Sequence, residues 1–168
     1  MRSEQSLRMN LAAERCLADF PSERFDAFAA GQKPQFAVLV YPNMALRDLV
    51  LAQTVFQPAQ GDVHLVWKTR SPVMTDLKAA VMPTTTFCAC LREPNVLVVP
   101  GGAFGSIACR RDSEVLAFLA ECSARANYVI GLSSGCELLR AAGALKSMET
   151  TCGGCSRYLL LSVSSNSG

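Results

Sequence analysis

Three short, uninterrupted apolar runs, each ending at a turn, constrain the fold of this chain more than any other feature. They cover residues 35–41, 95–100 and 127–132. A strand that is buried on both faces shows no alternation of polar and apolar residues, and such strands belong to parallel sheets covered by helices. The runs therefore predict three buried strands of a parallel sheet.

Segments with a helical spacing of apolar residues separate these strands. Residues 48–56 and 112–125 are the clearest, and the second begins with acidic residues, which favour a helix N-terminus. Residues 64–68 predict another strand, and residues 69–87, interrupted by prolines, predict a hairpin. Alternating strands and helices predict an α/β fold with a doubly wound parallel sheet.

Ser133 stands where the last apolar run breaks and a helical pattern resumes. A residue at such a strand-to-helix elbow projects its side chain above the sheet edge, with backbone N-H groups behind it. The surrounding Gly-x-Ser-x-Gly pattern also suits an α/β-hydrolase, but there the acid and the histidine follow the serine, and the only histidine here, His64, precedes it. Without a base Ser133 is a poor nucleophile, so a turn without chemistry stays an open alternative.

Two further segments should lie beside this elbow, because ligands of open α/β sheets bind beyond the carboxyl ends of the strands. Gly101 and Gly102 follow one strand, and an exposed N-H there, with that of Ser134, would form an oxyanion-type pair. Asp48 follows another strand, and partial burial would raise the pKa of its carboxyl group into a range useful for acid/base work. An ordinary glycine turn and an acidic residue complementing a helix dipole are the alternatives.

Composition limits the class of partner. The chain has 168 residues, of which 50% are hydrophobic, enough for one well-buried domain. The net charge of +2 comes from scattered basic residues, so neither nucleic acid nor an anionic membrane is an expected partner. No apolar run approaches the roughly 18 residues of a membrane span, and the N-terminus lacks an apolar signal core. We expect a cytoplasmic protein that binds a small molecule.

Eight cysteines raise the alternatives of a metal site and of a redox pair. Cys152 and Cys155 form a single Cys-x-x-Cys knuckle, and Cys88 and Cys90 lie too close in sequence to form a second one. Without a secretory signal, disulfides are not expected either. We predict thiols without a metal, and no cofactor.

Boundaries follow from the same patterns. Residues 1–34 are predicted to be an N-terminal extension, residues 35–161 the folded domain, and the serine-rich residues 162–168 a disordered tail.

Several motifs in order resemble the ThiJ/PfpI superfamily, which has the flavodoxin-like class I glutamine amidotransferase fold, and most closely its isonitrile hydratase branch. The motifs are Val40-Tyr-Pro-Asn-Met-Ala-Leu-Arg-Asp48, Lys68-Thr-Arg-Ser-Pro-Val73, Thr85-Thr-Phe-Cys88, Val98-Val-Pro-Gly-Gly102, Glu114-Val-Leu-Ala-Phe-Leu119, Ser134-Gly135 and Ala141-Ala-Gly-Ala-Leu-Lys146.

The resemblance implies hydration of an isonitrile to an N-substituted formamide. It places Asp48 at the acidic residue, Ser133 at the nucleophilic cysteine and Ser134 at the small hydroxyl residue that follows. Residues 150–153 (Thr-Thr-Cys-Gly) stand where the family has Thr-Thr-His-Trp, so that histidine is replaced.

The family usually continues through a further strand and helix, so the C-terminal part of the sheet is expected to be incomplete. A second subunit would cover the apolar surface left exposed, which predicts a homodimer. The alternative to an enzyme is a catalytically inactive small-molecule-binding domain or a truncated pseudoenzyme, as in the sensor domains of AraC-type regulators.

Overall fold

The computed structural model describes residues 32–90, 93–144 and 158–162. Most of the predicted N-terminal extension, both cysteines of the Cys-x-x-Cys knuckle and residues 163–168 of the predicted tail lie outside the described residues. The elements in chain order are β1 (Gln35–Leu39), α1 (Leu46–Phe56), β2 (Asp62–Trp67), β3 (Val73–Met74), β4 (Ala80–Val81), β5 (Thr85–Thr86), β6 (Val96–Val99), α2 (Ala103–Cys109), α3 (Ser113–Arg125), β7 (Tyr128–Leu132), α4 (Gly135–Ala141) and β8 (Tyr158–Ser162).

Six strands form one sheet in the order β5-β2-β1-β6-β7-β8. The first five are parallel, and β8 pairs with β7 in the antiparallel sense. Strands β3 and β4 form a separate antiparallel hairpin within residues 69–87, where a hairpin was predicted, whereas β5 of the same segment joins the main sheet beside β2. The α/β fold with a doubly wound parallel sheet is confirmed.

The core lies around the two central strands. Every residue of β6, and Phe36 to Leu39 of β1, is at most 1% exposed. Helices cover both faces of these strands, which is why their sequences show no polar alternation. The ring of Phe56, at the end of α1, stacks on Phe36 at a centroid distance of 4.3 Å and joins that helix to the core.

Helix α3 begins where its sequence predicts. Asp112 is the N-cap, and its side chain accepts hydrogen bonds from the N-H groups of Glu114 and Val115. The same carboxylate lies 2.6 Å from the Lys68 ammonium, just beyond the end of β2. The cap thus ties the start of α3 to the carboxyl edge of the sheet. Within the described residues no helix is long and apolar enough to cross a bilayer.

Strand order reverses between β1 and β6. The chain leaves β1 toward β2 on one side, and later leaves β6 toward β7 on the other. Right-handed crossovers then put α1 and α3 on opposite faces and open a crevice at the carboxyl ends of the two central strands. The segments that follow β1 and β6 meet there.

Two elements were not anticipated by the sequence. Helix α2 begins directly after the glycine turn, at residues for which the sequence analysis predicted no helix. Strand β8 lies at the sheet edge, and its last residue, Ser162, is the first residue of the predicted tail.

Candidate active site

Asp48 lies in the first turn of α1 and faces the crevice. It is 3% exposed, and its Oδ2 accepts a hydrogen bond of 2.8 Å from the Gly101 N-H. Burial raises the pKa of the carboxyl group, and the Gly101 N-H and the Arg47 guanidinium, 3.6 Å from Oδ1, lower it only in part. Asp48 is therefore more than a surface residue that complements a helix dipole.

The turn after β6 brings the backbone against this carboxylate. A methyl group added at Gly101 would lie 2.8 Å from the Ser133 Cβ and 2.9 Å from Asp48 Oδ2. Only a residue without a side chain fits between them. The Asp48 carboxylate and the Ser133 side chain thus flank the same point of the turn.

Ser133 occupies the elbow between β7 and α4. Its φ of 50° is in the left-handed region, which a serine adopts only when the surroundings impose it. Helix α4 begins two residues later at Gly135, where an added methyl group would overlap the Val99 carbonyl oxygen of β6. This close approach of α4 to the end of β6 holds the elbow over the crevice.

The side chain of the neighbouring Ser134 contacts the glycine turn. Its Oγ accepts a 2.9 Å hydrogen bond from the Gly102 N-H. Because Gly101 donates to Asp48, both glycine N-H groups already have acceptors. The sequence-based prediction of an exposed N-H at Gly101 or Gly102 is therefore wrong for this structure. The Ser134 N-H, by contrast, has no acceptor among the described residues.

The described part of the crevice holds no histidine. His64 sits in the amino-terminal half of β2, and its Nε2 lies 2.7 Å from Gln35 Oε1. Gln35 is the first residue of β1, so this histidine belongs to the opposite edge of the sheet from Ser133. The described residues also contain no group of three or more His, Cys, Asp or Glu side chains that could hold a metal ion.

Tyr41 is a residue of this site that the sequence reasoning missed. It is fully buried, and its hydroxyl donates a 2.7 Å hydrogen bond to the Pro100 carbonyl oxygen. Burial, together with the nearby Cys109 and Asp48, raises the pKa of the phenol, which stays a neutral donor. A signal was available, because a tyrosine that ends a buried strand needs a partner for its hydroxyl.

Comparison with known proteins shows the family of the chain. Residues 35–160 match the sequence profile of the DJ-1/PfpI family. An isonitrile hydratase of Pseudomonas putida is 35% identical over 118 residues, which cover 70% of this chain and 51% of that protein.

Solved structures of ThiJ/PfpI and DJ-1 proteins share the fold of this chain. The crystal structure of a ThiJ/PfpI family protein from Pseudomonas syringae superposes with a TM-score of 0.66 at 37% identity, covering 77% of this chain and 53% of that one. Drosophila melanogaster DJ-1beta, at 19% identity, shares the fold with a TM-score of 0.60 over 67% of this chain and 61% of its own. The chain spans about half the length of the isonitrile hydratase and of the P. syringae protein.

Proposed function

Because the chain belongs to the DJ-1/PfpI family, we propose that its crevice hydrates an isonitrile, R-N≡C, to the formamide R-NH-CHO, with Asp48 and Ser133 as the reacting side chains. One observation carries the proposal. A buried carboxylate with a raised pKa and the Cβ of a serine on a strand-to-helix elbow lie on either side of the point where a methyl group added at Gly101 would stand, at 2.9 and 2.8 Å from it. The similarity to the P. putida enzyme suggests the substrate class.

The chemistry balances with these two groups and one water. Ser133 Oγ bonds to the terminal carbon of the isonitrile, and its proton passes through Asp48 to that same carbon, which gives the formimidate R-N=CH-O-Ser. Water then adds to the formimidate carbon, the bond to Oγ breaks, and a proton returns to Oγ as the product tautomerises to the formamide. A carboxyl group with a raised pKa suits the proton transfer, because both of its protonation states are accessible closer to neutral pH.

The weak element of this site is the nucleophile. A serine hydroxyl needs a base, whereas a cysteine is partly a thiolate near neutral pH and is intrinsically more nucleophilic. Among the described residues no side chain hydrogen-bonds the Ser133 hydroxyl, and Asp48 Oδ2 accepts from the Gly101 N-H instead. The resemblance places cysteine at this position. We therefore expect slow hydration by the wild-type chain. In Ser133→Cys the hydration rate should rise on the order of 10²-fold or more, because general-base catalysis typically contributes a factor of that size.

The test follows formamide release from a simple aliphatic isonitrile. Wild type, Ser133→Cys and the double variant Ser133→Cys/Asp48→Asn are compared. Ser71→Cys is the matched control, since it adds an exposed thiol at a serine that belongs neither to the elbow nor to the glycine turn. Activity should rise only in Ser133→Cys and fall again in the double variant. A folded Ser133→Cys protein without activity would overturn the hydratase proposal.

A second candidate function is small-molecule binding without turnover. Two observations favour it: no described side chain hydrogen-bonds the Ser133 hydroxyl, and both glycine N-H groups of the turn donate to acceptors of the protein itself. In that case the isonitrile would raise the melting temperature of the wild type, and neither wild type nor Ser133→Cys would release formamide.

The homodimer stays a prediction. Phe104 of α2 is 82% exposed and Leu77, between β3 and β4, is 69% exposed, and exposed large apolar side chains of this kind support a partner surface. Sedimentation equilibrium of the wild type tests it, and a monomer at all concentrations would contradict it.

A further inference from the structure

We propose that Tyr41 is a positioning residue that acts on Asp48 through a single peptide group, the one joining Pro100 to Gly101. The inference rests on the proposed function only for its consequence, because it concerns the carboxylate on which the proposed proton transfer depends.

The contact is a chain of two hydrogen bonds through one amide. The Tyr41 hydroxyl donates to the Pro100 carbonyl oxygen at 2.7 Å, and the Gly101 N-H of the same peptide group donates to Asp48 Oδ2 at 2.8 Å. A donor on the carbonyl oxygen polarises an amide and makes its N-H a stronger donor. Tyr41 therefore strengthens the bond that stabilises the ionised form of Asp48.

The next peptide group of the turn is held in the same manner. Its carbonyl, that of Gly101, accepts from the Ala45 N-H at 2.7 Å, and its N-H, that of Gly102, donates to Ser134 Oγ at 2.9 Å. Both peptide planes are thus fixed at both ends. The turn cannot rotate to recover a lost bond, so removal of the Tyr41 hydroxyl should weaken the bond to Asp48 rather than rearrange it.

Other charged groups near Asp48 do not replace this path. Arg47, on the same helix, lowers the pKa of the carboxyl group, and Asp76, on the β3-β4 hairpin, raises it. Arg47 contacts Oδ1 and its side chain is 52% exposed, so water screens it. Of the described groups, only the Gly101 N-H donates to Oδ2 from a buried position.

The experiment is a pH titration of the Asp48 carboxyl carbon by NMR, with Asp48→Asn to assign the signal. In Tyr41→Phe we expect the titration midpoint to rise by roughly half a pH unit, because a polarising bond is lost from the donor of the ionised form. The Gly101 amide proton should move upfield. Ser123→Ala is the control, since it removes a buried hydroxyl that donates to a backbone carbonyl within α3, and it should leave both signals unchanged.

A second arm keeps the fold intact. Replacing the tyrosines by difluorotyrosine makes each hydroxyl a stronger donor without removing it, and the Asp48 midpoint should then fall. An unchanged midpoint in both arms, or an equal shift in Ser123→Ala, would overturn the inference. Because the titration needs no substrate, it succeeds or fails independently of the hydratase proposal.

Discussion

Replacing Gly135 by alanine tests whether α4 lies as close to β6 as the elbow requires. The new methyl group would overlap the Val99 carbonyl oxygen and lie 2.8 Å from the Pro100 carbonyl oxygen. Both obstacles are backbone atoms of the central strand and its turn, so no side chain can rotate to make room. The elbow with Ser133 would have to move away from the crevice.

The expected loss of stability follows from two opposing effects. Overpacking against rigid atoms costs about 3 kcal/mol, the upper end of the usual range. Alanine returns about 1 kcal/mol, because it is a better helix former than glycine. We expect a net loss of about 2 kcal/mol in the free energy of unfolding.

Gly143, just after α4, is the matched control. Its φ is 70° and no atom lies within 4 Å of an added methyl group, so alanine there costs only about 1 kcal/mol of backbone strain. Urea unfolding, followed by the fluorescence of the single tryptophan, Trp67, measures both variants. If Gly135→Ala is as stable as Gly143→Ala, the contact between α4 and β6 is wrong, and so is the placement of Ser133.

Three further outcomes are expected. Burial raises the pKa of Asp48 in the folded state, so ionising this carboxyl group costs stability as the pH rises through that pKa. The free energy of unfolding of Asp48→Asn in urea should therefore increase relative to that of the wild type between pH 4 and pH 8. A difference that stays constant over this range would contradict the burial. Asp112→Ala removes both the α3 cap and the contact with Lys68 and should cost about 1 kcal/mol at neutral pH; no loss would show that the cap is not formed. Exposed Cys88 should react with a thiol reagent well before buried Cys122, because burial raises the pKa of the Cys122 thiol to about 12; equal rates by mass spectrometry would contradict this.

The sequence predicted those parts of the fold in which one physical effect dominates. Strands β1, β6 and β7 are buried on both faces, and that alone produces uninterrupted apolar runs. Helix α3 carries its own start signal in Asp112, which the structure shows as a side-chain cap. Helix α2 has no such signal. It contains Gly105, a poor helix former, and exposes Phe104. Gly105 lies so close to the Pro42 carbonyl oxygen that an added methyl group would overlap it, and this long-range contact is not visible in the local sequence.

The candidate site divides in the same way. That the segments after β1, β6 and β7 meet follows from the rule that parallel strands end at one edge. The direction in which Gly101 and Gly102 point their N-H groups does not follow from any local pattern. It depends on acceptors 53 and 32 residues away in the chain, Asp48 and Ser134, which only the tertiary structure brings to the turn.

Two energetically unfavourable features coincide at this turn. Ser133 holds a left-handed backbone conformation that costs on the order of 1 kcal/mol, and Asp48 keeps a carboxylate buried in spite of the desolvation penalty. A glycine at the elbow and an asparagine on α1 would relieve both. Strain and perturbed ionisation gathered at one point of a crevice are typical of a functional site. Within the part of the chain that the structure describes, no side chain hydrogen-bonds the Ser133 hydroxyl, so the nucleophile and not the scaffold should limit the chemistry of this site.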